Sequence, residues 1–286
     1  MAEQERRSFM IPFNFDYRRV HTIEEAVGLF RQFQLYSKKP LYFGGGTEII
    51  TLARLNQLYT EAVIDINGIP ECNSFMIRDG KFYLGSCISL TQAVYQDSFL
   101  LLSQTANEIA DHTARNKISL GGNICSNIRF KEAILPFLVT NSNVIIANER
   151  EIKQTSIKDA FDEEYQLPLG TLLVQLVVDE AYLHAPFYAK KIRTIGTVGY
   201  PVLTINAVKI NGRLKIAVSG ISLLPIQSEA IDDRLNNRQL SYTDRIKEVI
   251  EGWPKPIIDD IQGSADYKKF LLEKTLLEIF QKLEVD

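Results

Sequence analysis

The sequence predicts an α+β fold with more than one domain. Short apolar runs alternate with helical periods along the chain, so both kinds of element are expected. Two turn signals, Asp79-Gly80 and Asn211-Gly212, each separate two such runs and predict antiparallel hairpins. The chain has 286 residues, and single hydrophobic cores rarely grow beyond roughly 250 to 300 residues. We therefore expect more than one core.

Helices are predicted from caps and from a helical period. Thr22 followed by Glu25 has the spacing of a capping box, and the apolar positions after it predict a helix over residues 22–34. Ser89 and Gln92 predict a second capped start, and Thr47 is expected to cap a third helix. Further helical periods cover residues 101–111, 133–139 and 265–283.

Strands are predicted from short apolar runs bounded by turn residues. They cover residues 40–43, 62–66, 74–78, 81–85, 143–147, 172–178, 187–192, 202–210 and 214–224. A polar connection is expected over residues 158–166 and a domain boundary near residues 178–185.

Composition and charge exclude several classes of protein. Charged residues make up 23% of the chain and hydrophobic residues 45%, which is ordinary for a globular protein. The apolar runs are far shorter than the ~20 residues that a membrane-spanning helix needs. A net charge of −3 gives no basic field for nucleic acid. Residues 1–7 are charged and lack a signal-peptide pattern, so we expect a cytoplasmic protein.

Cysteine and histidine usage gives no sign of a metal site or a catalytic triad. Cys72, Cys87 and Cys125 are odd in number and widely spaced, which argues against a disulfide framework, a zinc site and a cysteine-ligated iron–sulfur cluster. The three histidines lie far apart, and no acid or nucleophile has triad spacing. His112 is therefore expected to be a solvated or hydrogen-bonded loop residue.

Two glycine-rich segments are the candidate binding site. Where side chains are absent, the backbone can approach a phosphate, and amides at the start of a following helix favour its charge. Neither segment fits a dinucleotide-binding fingerprint or a P-loop, so a plain turn remains an alternative for each. The candidates are Gly44, Gly45, Gly46, Thr47 and Glu48 in the first segment, and Ser119, Gly121, Gly122 and Asn123 in the second, which is predicted to be irregular over residues 116–127.

Both segments, in this order and separation, resemble the FAD-binding medium subunits of the xanthine dehydrogenase and carbon monoxide dehydrogenase family. That family has a Gly-Gly-Thr-Asp/Glu motif, as in residues 45–48, and a second loop similar to residues 115–124. Supporting likenesses occur at residues 65–69, 84–86, 220–225 and 264–267, so the resemblance spans nearly the whole chain.

The resemblance implies a fold and a cofactor. The fold is a vanillyl-alcohol-oxidase-like (PCMH-type) FAD-binding domain in two α/β parts, residues 1–60 and 61–180. A smaller C-terminal α/β domain of the CO dehydrogenase flavoprotein type, residues 181–286, would help to cover the flavin. The glycine segments would hold the FAD diphosphate, with Thr47, Glu48 and Asn123 as further contacts.

The same resemblance implies three more site residues. Glu132 falls where the family has an Asp near the nucleotide portion, although a plain surface carboxylate is an alternative. Tyr200 is similar to an aromatic residue close to the flavin ring, and the alternative is a core tyrosine at a strand entrance. Lys191, or its neighbour Lys190, would supply a cation that stabilises the reduced ring.

The function implied is electron transfer within a complex. A molybdenum-cofactor large subunit would oxidise the substrate, a 2Fe-2S small subunit would pass electrons on, and FAD would hand them to NAD or a quinone. No catalytic acid–base residue is expected in this chain. Residues 127–131 and Val198-Gly199 depart from the family pattern, which motivates a flavin- or partner-binding subunit without turnover as the alternative. A self-contained flavin oxidase would predict catalysis by the isolated chain.

Overall fold

The computed structural model describes residues 11–161, 165–196 and 198–284. The charged segment 1–7 lies outside the described residues. The strands are β1 Asp16–Arg19, β2 Pro40–Phe43, β3 Ala62–Asp65, β4 Phe75–Arg78, β5 Lys81–Gly85, β6 Asn143–Ala147, β7 Ile152–Ser156, β8 Leu172–Asp179, β9 Phe187–Ile192, β10 Leu203–Ile210 and β11 Arg213–Ser219. The α-helices are α1 Ile23–Leu35, α2 Thr47–Arg54, α3 Leu90–Tyr95, α4 Leu100–Asn107, α5 His112–Arg115, α6 Leu120–Ile124, α7 Leu135–Val139, α8 Ile157–Ala160, α9 Glu229–Leu235, α10 Tyr242–Glu251 and α11 Ala265–Leu283.

Among the described residues the strands form three sheets. The first is parallel with the order β1-β3-β2. The second is antiparallel with the order β4-β5-β8-β6-β7, and the third is antiparallel with the order β11-β10-β9. Each sheet takes its strands from one stretch of the chain. The division at residues 60 and 180 remains a proposal, and β3, just beyond residue 60, pairs within the first sheet.

Strand β8 joins the cores of the first two sheets. Its apolar run is buried on both faces, as in strands covered on two sides. Leu172 and Val174 pack with the first sheet and α1, whereas Leu173 and Leu176 pack in the core of the second sheet. The second sheet and the short helices around the glycine segments are thereby held against the first.

The third sheet packs on two sides as well. Val208 and Ala217 pack in the core of the second sheet. Ile205 and Ile216 face the other way, toward a core built with the C-terminal helices. The mixed helix and strand content therefore agrees with the expected α+β class.

Local sequence signals explain most element ends. The side chain of Thr22 accepts a hydrogen bond from the Glu25 amide at the start of α1, and the capping box of Ser89 and Gln92 is present. At both predicted hairpins the turn residues have positive φ, 53° and 71° at Asp79-Gly80 and 50° and 71° at Asn211-Gly212, which suits a two-residue turn.

Three expectations were wrong or incomplete. Thr47 does not cap α2, because Gly46 is the N-cap residue and Thr47 is the first helical residue. Residues 116–127 are not irregular throughout, since they contain α6. Strands β1 and β7 were not predicted, because both are mostly exposed and lack an apolar run. No helix among the described residues is long and apolar enough to cross a membrane.

Candidate functional site

The two glycine segments meet at the hydroxyl group of Ser119. This oxygen accepts hydrogen bonds from the backbone amide of Gly45 at 3.3 Å and from that of Gly122 at 3.2 Å. The second bond caps α6, since Ser119 is its N-cap residue. One side chain therefore fixes the first segment and the start of the second together.

Glycine is required in both segments by close backbone contacts. A Cβ at Gly45 would lie 1.7 Å from the carbonyl oxygen of Lys117, and a Cβ at Gly121 would lie 2.6 Å from the Cβ of Ser86. Such distances are far below van der Waals contact. A side chain at Gly45 would push the two segments apart, and one at Gly121 would push the second segment away from Ser86.

The first segment turns into α2 through a left-handed residue. Gly46 has a φ of 69°, which favours glycine, and it makes no side-chain cap. The amides of the first turn of a helix have no partner within the helix, so those of Thr47 and Glu48 can donate to a ligand. The carboxylate of Glu48 accepts a hydrogen bond from the Asn127 amide at 3.0 Å, and burial raises its pKa. Glu48 thus ties α2 to the chain beyond the second segment.

A network of side-chain hydrogen bonds supports the first segment. The side-chain nitrogen of Asn67 donates to the carbonyl oxygen of Gly44 at 2.9 Å. The carboxylate of Asp65 accepts from the Asn67 amide at 2.9 Å and from the hydroxyl of Tyr17. Residues 65–69 were expected only as a further point of likeness to the family, although an Asp two residues before an Asn is a turn signal.

Two adjacent cavities lie against the glycine segments. One has a volume of about 240 Å³ and is lined by residues of both segments, and the other has a volume of about 260 Å³. Their shared lining residues are Leu41, Tyr42, Gly44, Ser119, Gly122 and Cys125. The combined volume of the two cavities falls within the range of roughly 300 to 1,000 Å³ that is typical of small-molecule sites. All candidates of the two segments line them, from Gly44 to Glu48 and from Ser119 to Asn123.

Asn123 and Cys125 complete the second segment. The side-chain oxygen of Asn123 accepts a hydrogen bond from the Ala133 amide at 3.1 Å, which fixes the side chain. Burial raises the pKa of the Cys125 thiol to about 12, so the thiol is protonated at neutral pH. The Cys125 side chain therefore adds no charge to the cavity wall.

Glu132 and Lys191 form a buried ion pair outside the walls of these two cavities. The Lys191 ammonium lies 2.9 Å from one oxygen of Glu132 and 3.0 Å from the carbonyl oxygen of Glu108. The hydroxyl of Thr204 donates to the other Glu132 oxygen at 2.7 Å. The side chains of Lys191 and Glu132 are 1% and 5% exposed, so the surface-carboxylate alternative for Glu132 is wrong. Burial raises the pKa of Glu132 and lowers that of Lys191, and the ion pair opposes both shifts.

Lys190 and Lys191 differ sharply in surroundings. Lys190 pairs with Glu278, 2.6 Å away, at the partly exposed edge of the third sheet. Lys191 instead reaches the second sheet's helices through Glu108 and Glu132. Among these two lysines only Lys191 joins the C-terminal part to the part that carries the glycine segments.

Tyr200 is an exposed aromatic residue. It is 53% exposed and stacks on Phe130, with ring centroids 4.8 Å apart and an angle of 22° between the rings. The alternative of a core tyrosine is therefore wrong. His112 is exposed, as expected, but it is the first residue of α5 and does not lie in a loop.

The residues at the cavities fit a phosphate-bearing cofactor. Glycines keep the two segments close and free of side chains, and first-turn amides supply donors for an anion. Apolar side chains, including Leu41 and Ile49, line the remaining walls. This donor set suits the diphosphate of a dinucleotide, with apolar surface for the attached groups.

The chain is similar in sequence or in fold to subunits of known dehydrogenases and to an oxidoreductase. The chain is 22% identical to the carbon monoxide dehydrogenase medium chain of Hydrogenophaga pseudoflava over 91% of this chain and 93% of that one. It is 26% identical to the xanthine dehydrogenase FAD-binding subunit of Escherichia coli O157:H7, over 49% of each chain. A solved carbon monoxide dehydrogenase from H. pseudoflava that lacks the Mo-pyranopterin moiety of its molybdenum cofactor matches with a TM-score of 0.84 and 18% identity, covering 95% of this chain and 98% of that chain.

The fold recurs in a quinoline 2-oxidoreductase from Pseudomonas putida 86, with a TM-score of 0.81, 16% identity and coverage of 94% and 96% of the two chains. Residues 13–178, more than half of the chain, match the family described as the FAD binding domain in molybdopterin dehydrogenase. The matched range contains both glycine segments. The chain therefore belongs to the family of molybdopterin dehydrogenase FAD-binding domains, and its cofactor is FAD.

Proposed function

We propose that this chain is the FAD-binding electron-transfer subunit of a molybdenum-containing hydroxylase or dehydrogenase complex. The observation that carries the proposal is the junction at Ser119, which holds two glycine segments against one pair of cavities. When bound, FAD supplies two-electron redox chemistry, and the protein binds, orients and tunes it. No acid–base residue of this chain is needed for that task.

The diphosphate is assigned to the two glycine segments. The backbone of residues 44–48, with Ser119, Gly121, Gly122 and Asn123, would hold it through amides at the starts of α2 and α6. The flavin unit would be of the vanillyl-alcohol-oxidase-like type, built from residues 1–60 and 61–180. Residues 181–286 would cover it as the CO dehydrogenase flavoprotein type of C-terminal domain. These details rest on the resemblance and on the cavity lining.

Three residues outside the cavity walls keep proposed roles. Glu132 is assigned to the nucleotide side, and Lys191 and Tyr200 to the ring side. Support for Lys191 is its fixed ammonium, held by Glu132. Support for Tyr200 is its exposed ring, since aromatic faces stack on planar ring systems. A cation beside the ring would favour its anionic reduced form.

The proposed partners are a molybdenum-cofactor large subunit and a 2Fe-2S small subunit. The molybdenum subunit is supported by the relatives' names, which include a medium chain and an enzyme described by its molybdenum cofactor. The 2Fe-2S subunit rests on the family resemblance. The chain also has an exposed apolar edge strand, β4, on which Phe75, Met76 and Ile77 are 40 to 48% exposed. Open edges of this kind are usually protected or covered by another chain. NAD or a quinone is the proposed acceptor, and the location is proposed to be cytoplasmic.

Purification of the tagged full chain from its native host tests this function. We expect molybdenum, iron and FAD to co-purify with the chain. We also expect the flavin band to bleach when a compound from the relatives' names, carbon monoxide, xanthine or quinoline, is oxidised by the complex. FAD in a complex without molybdenum and iron would contradict the proposal.

The alternative is a flavin- or partner-binding subunit without turnover. It is motivated by the departures at residues 127–131, where Phe130 stacks on Tyr200. It predicts a complex in which the absorbance of the iron–sulfur clusters bleaches on reduction while that of the flavin does not.

A further inference from the structure

Two buried cysteines lie directly behind the first glycine segment. Cys72 is fully buried and Cys87 is 8% exposed. A Cβ placed on Gly44 would lie 3.7 Å from the sulfur of Cys87. Neither thiol is needed for the proposed cofactor contacts, and both pack in the core of the first sheet.

The backbone brings the two cysteines within disulfide distance. The amide of Cys87 donates to the carbonyl oxygen of Cys72 at 2.8 Å. With standard bond lengths, this bond limits the separation of the two Cα atoms to about 6.7 Å. Disulfides in proteins span Cα separations of about 4.4 to 6.8 Å. The pair therefore meets the distance requirement without a movement of the backbone.

The thiols also interact with each other. A hydrogen bond with Cys87 lowers the pKa of Cys72, and the same bond, together with burial, raises the pKa of Cys87. Cys72 is thus the more acidic thiol and the better candidate for attack on an oxidant. Cys125 differs, because burial raises its pKa to about 12.

Cys87 is flanked by residues that hold the second glycine segment. The carbonyl oxygen of Ser86 accepts from the Gly121 amide at 2.8 Å, and that of Ile88 accepts from the Leu120 amide at 2.7 Å. A covalent bond from Cys87 to Cys72 would therefore restrain the backbone that holds the second segment and that lies behind the first.

We propose that Cys72 and Cys87 are a reversible oxidation site, which forms an intrachain disulfide with a peroxide and cross-links the backbone that supports the two glycine segments. The thiolate of Cys72 attacks the O–O bond of hydrogen peroxide, which gives a sulfenic acid and hydroxide. The sulfur of Cys87 then attacks the sulfenic sulfur, so that the S–S bond forms and the S–O bond breaks. Two thiols and one hydrogen peroxide give one disulfide and two waters.

Peptide mapping without reduction, after titration with hydrogen peroxide, tests the site in the full chain. We expect a 72–87 disulfide that dithiothreitol reverses, in wild type and in Cys125→Ser, and none in Cys72→Ser or Cys87→Ser. Hydrogen exchange should become slower in residues 44–48 and 119–123 of the oxidised wild type and of oxidised Cys125→Ser, and should stay unchanged in Cys72→Ser and Cys87→Ser. Free thiols at both positions after oxidation, over-oxidation of Cys87 without a disulfide, or unchanged exchange would each overturn the proposal.

The effect on the cofactor rests on the proposed function and is measured separately. We expect the oxidised chain to retain more FAD than the reduced chain, because the supports of both segments are then cross-linked, and we expect dithiothreitol to reverse the gain. If the reduced chain retained no FAD, the proposed function would fail, while the disulfide map and the exchange data would still decide the oxidation site.

Discussion

The hydroxyl of Ser119 accepts a hydrogen bond from the Gly45 amide, 74 residues earlier in the chain, at 3.3 Å. The same oxygen caps α6 through the Gly122 amide. Each segment alone is a common turn, but their junction makes one site from two distant pieces of sequence.

Replacing Ser119 with alanine should weaken both segments at once. The variant loses the cap of α6, which costs about 1 kcal/mol of unfolding free energy, and it frees the first segment. We expect a larger proportional loss in FAD retention than in stability, because both sides of the site move. Chemical denaturation and flavin content after gel filtration measure the two effects.

Ser228→Ala is the matched control for Ser119→Ala. Ser228 is the N-cap residue of α9, but its side chain makes no capping bond. We expect its stability and flavin content to equal those of the wild type. An unchanged flavin content in Ser119→Ala would argue against the junction.

Replacing Gly45 with alanine should separate the two segments. Its Cβ would meet the Lys117 carbonyl oxygen at 1.7 Å, a backbone atom that cannot rotate away. Overpacking of this kind costs about 1 to 3 kcal/mol. Differential scanning calorimetry should record a lower Tm, and equilibrium dialysis should record weaker FAD binding.

Gly28→Ala provides the comparison for Gly45→Ala. Gly28 lies inside α1 with nothing within 4 Å of an added Cβ. Alanine is favoured over glycine in a helix by roughly 1 kcal/mol, so this variant should be slightly more stable and bind FAD normally. Equal behaviour of the two variants would show that the close contact at Gly45 is unimportant.

Replacing Lys191 with methionine should leave Glu132 buried without its cation. Breaking a buried pair from one side costs about 3 to 5 kcal/mol. The loss should grow as the pH rises above the usual pKa of a glutamate, because burial raises the pKa of Glu132 in the folded state and ionisation then opposes folding. Urea denaturation at several pH values measures this dependence.

Lys190→Met tests whether the loss of stability in Lys191→Met comes from the burial of the ion pair. Lys190 pairs with Glu278 at a partly exposed position, where an ion pair contributes about 0 to 1 kcal/mol. We expect a small loss, reduced further by salt. Restoration of part of the stability in a Glu132→Gln, Lys191→Met double variant would identify the uncompensated charge as the cause.

Asp232 should make stability depend on pH. Burial raises its pKa to about 7, so the folded chain binds this proton more tightly than the unfolded chain. Stability from this group is fully present below the unfolded pKa and is lost as the pH rises toward 7. Asp232→Asn should flatten that decline, with a gain of about 4 kcal/mol at most at pH 8 relative to pH 4. An equal loss of stability with rising pH in the wild type and in Asp232→Asn would show that Asp232 is not the cause of the pH dependence.

The sequence predicted the elements whose signals are local. Strands β2, β5, β6 and β9 and helix α11 have the predicted bounds, because apolar runs, turn residues and the Ser264 cap define them. The exposed strands β1 and β7 depend on pairing partners and were missed. The helix α6 was predicted as a loop, since its start depends on the Ser119 cap and on packing against Ser86.

The candidate site was predictable as two segments but not as a geometry. Glycine content indicated where a backbone can approach a phosphate, whereas the contact between Gly45 and Lys117 depends on long-range packing. The burial of Glu132 could not be read from its neighbours, because it depends on Lys191 and Thr204 in another part of the chain.

The most direct test of the account is the stoichiometry of FAD on the purified full chain. The chain, shown to be folded by circular dichroism, is titrated with FAD by isothermal calorimetry, with Gly45→Ala and Gly28→Ala measured beside it. We expect one FAD per chain in the wild type and in Gly28→Ala, and strongly reduced binding in Gly45→Ala. Folded wild-type chain that binds no FAD, or Gly45→Ala that binds it as tightly as the wild type, would contradict the account.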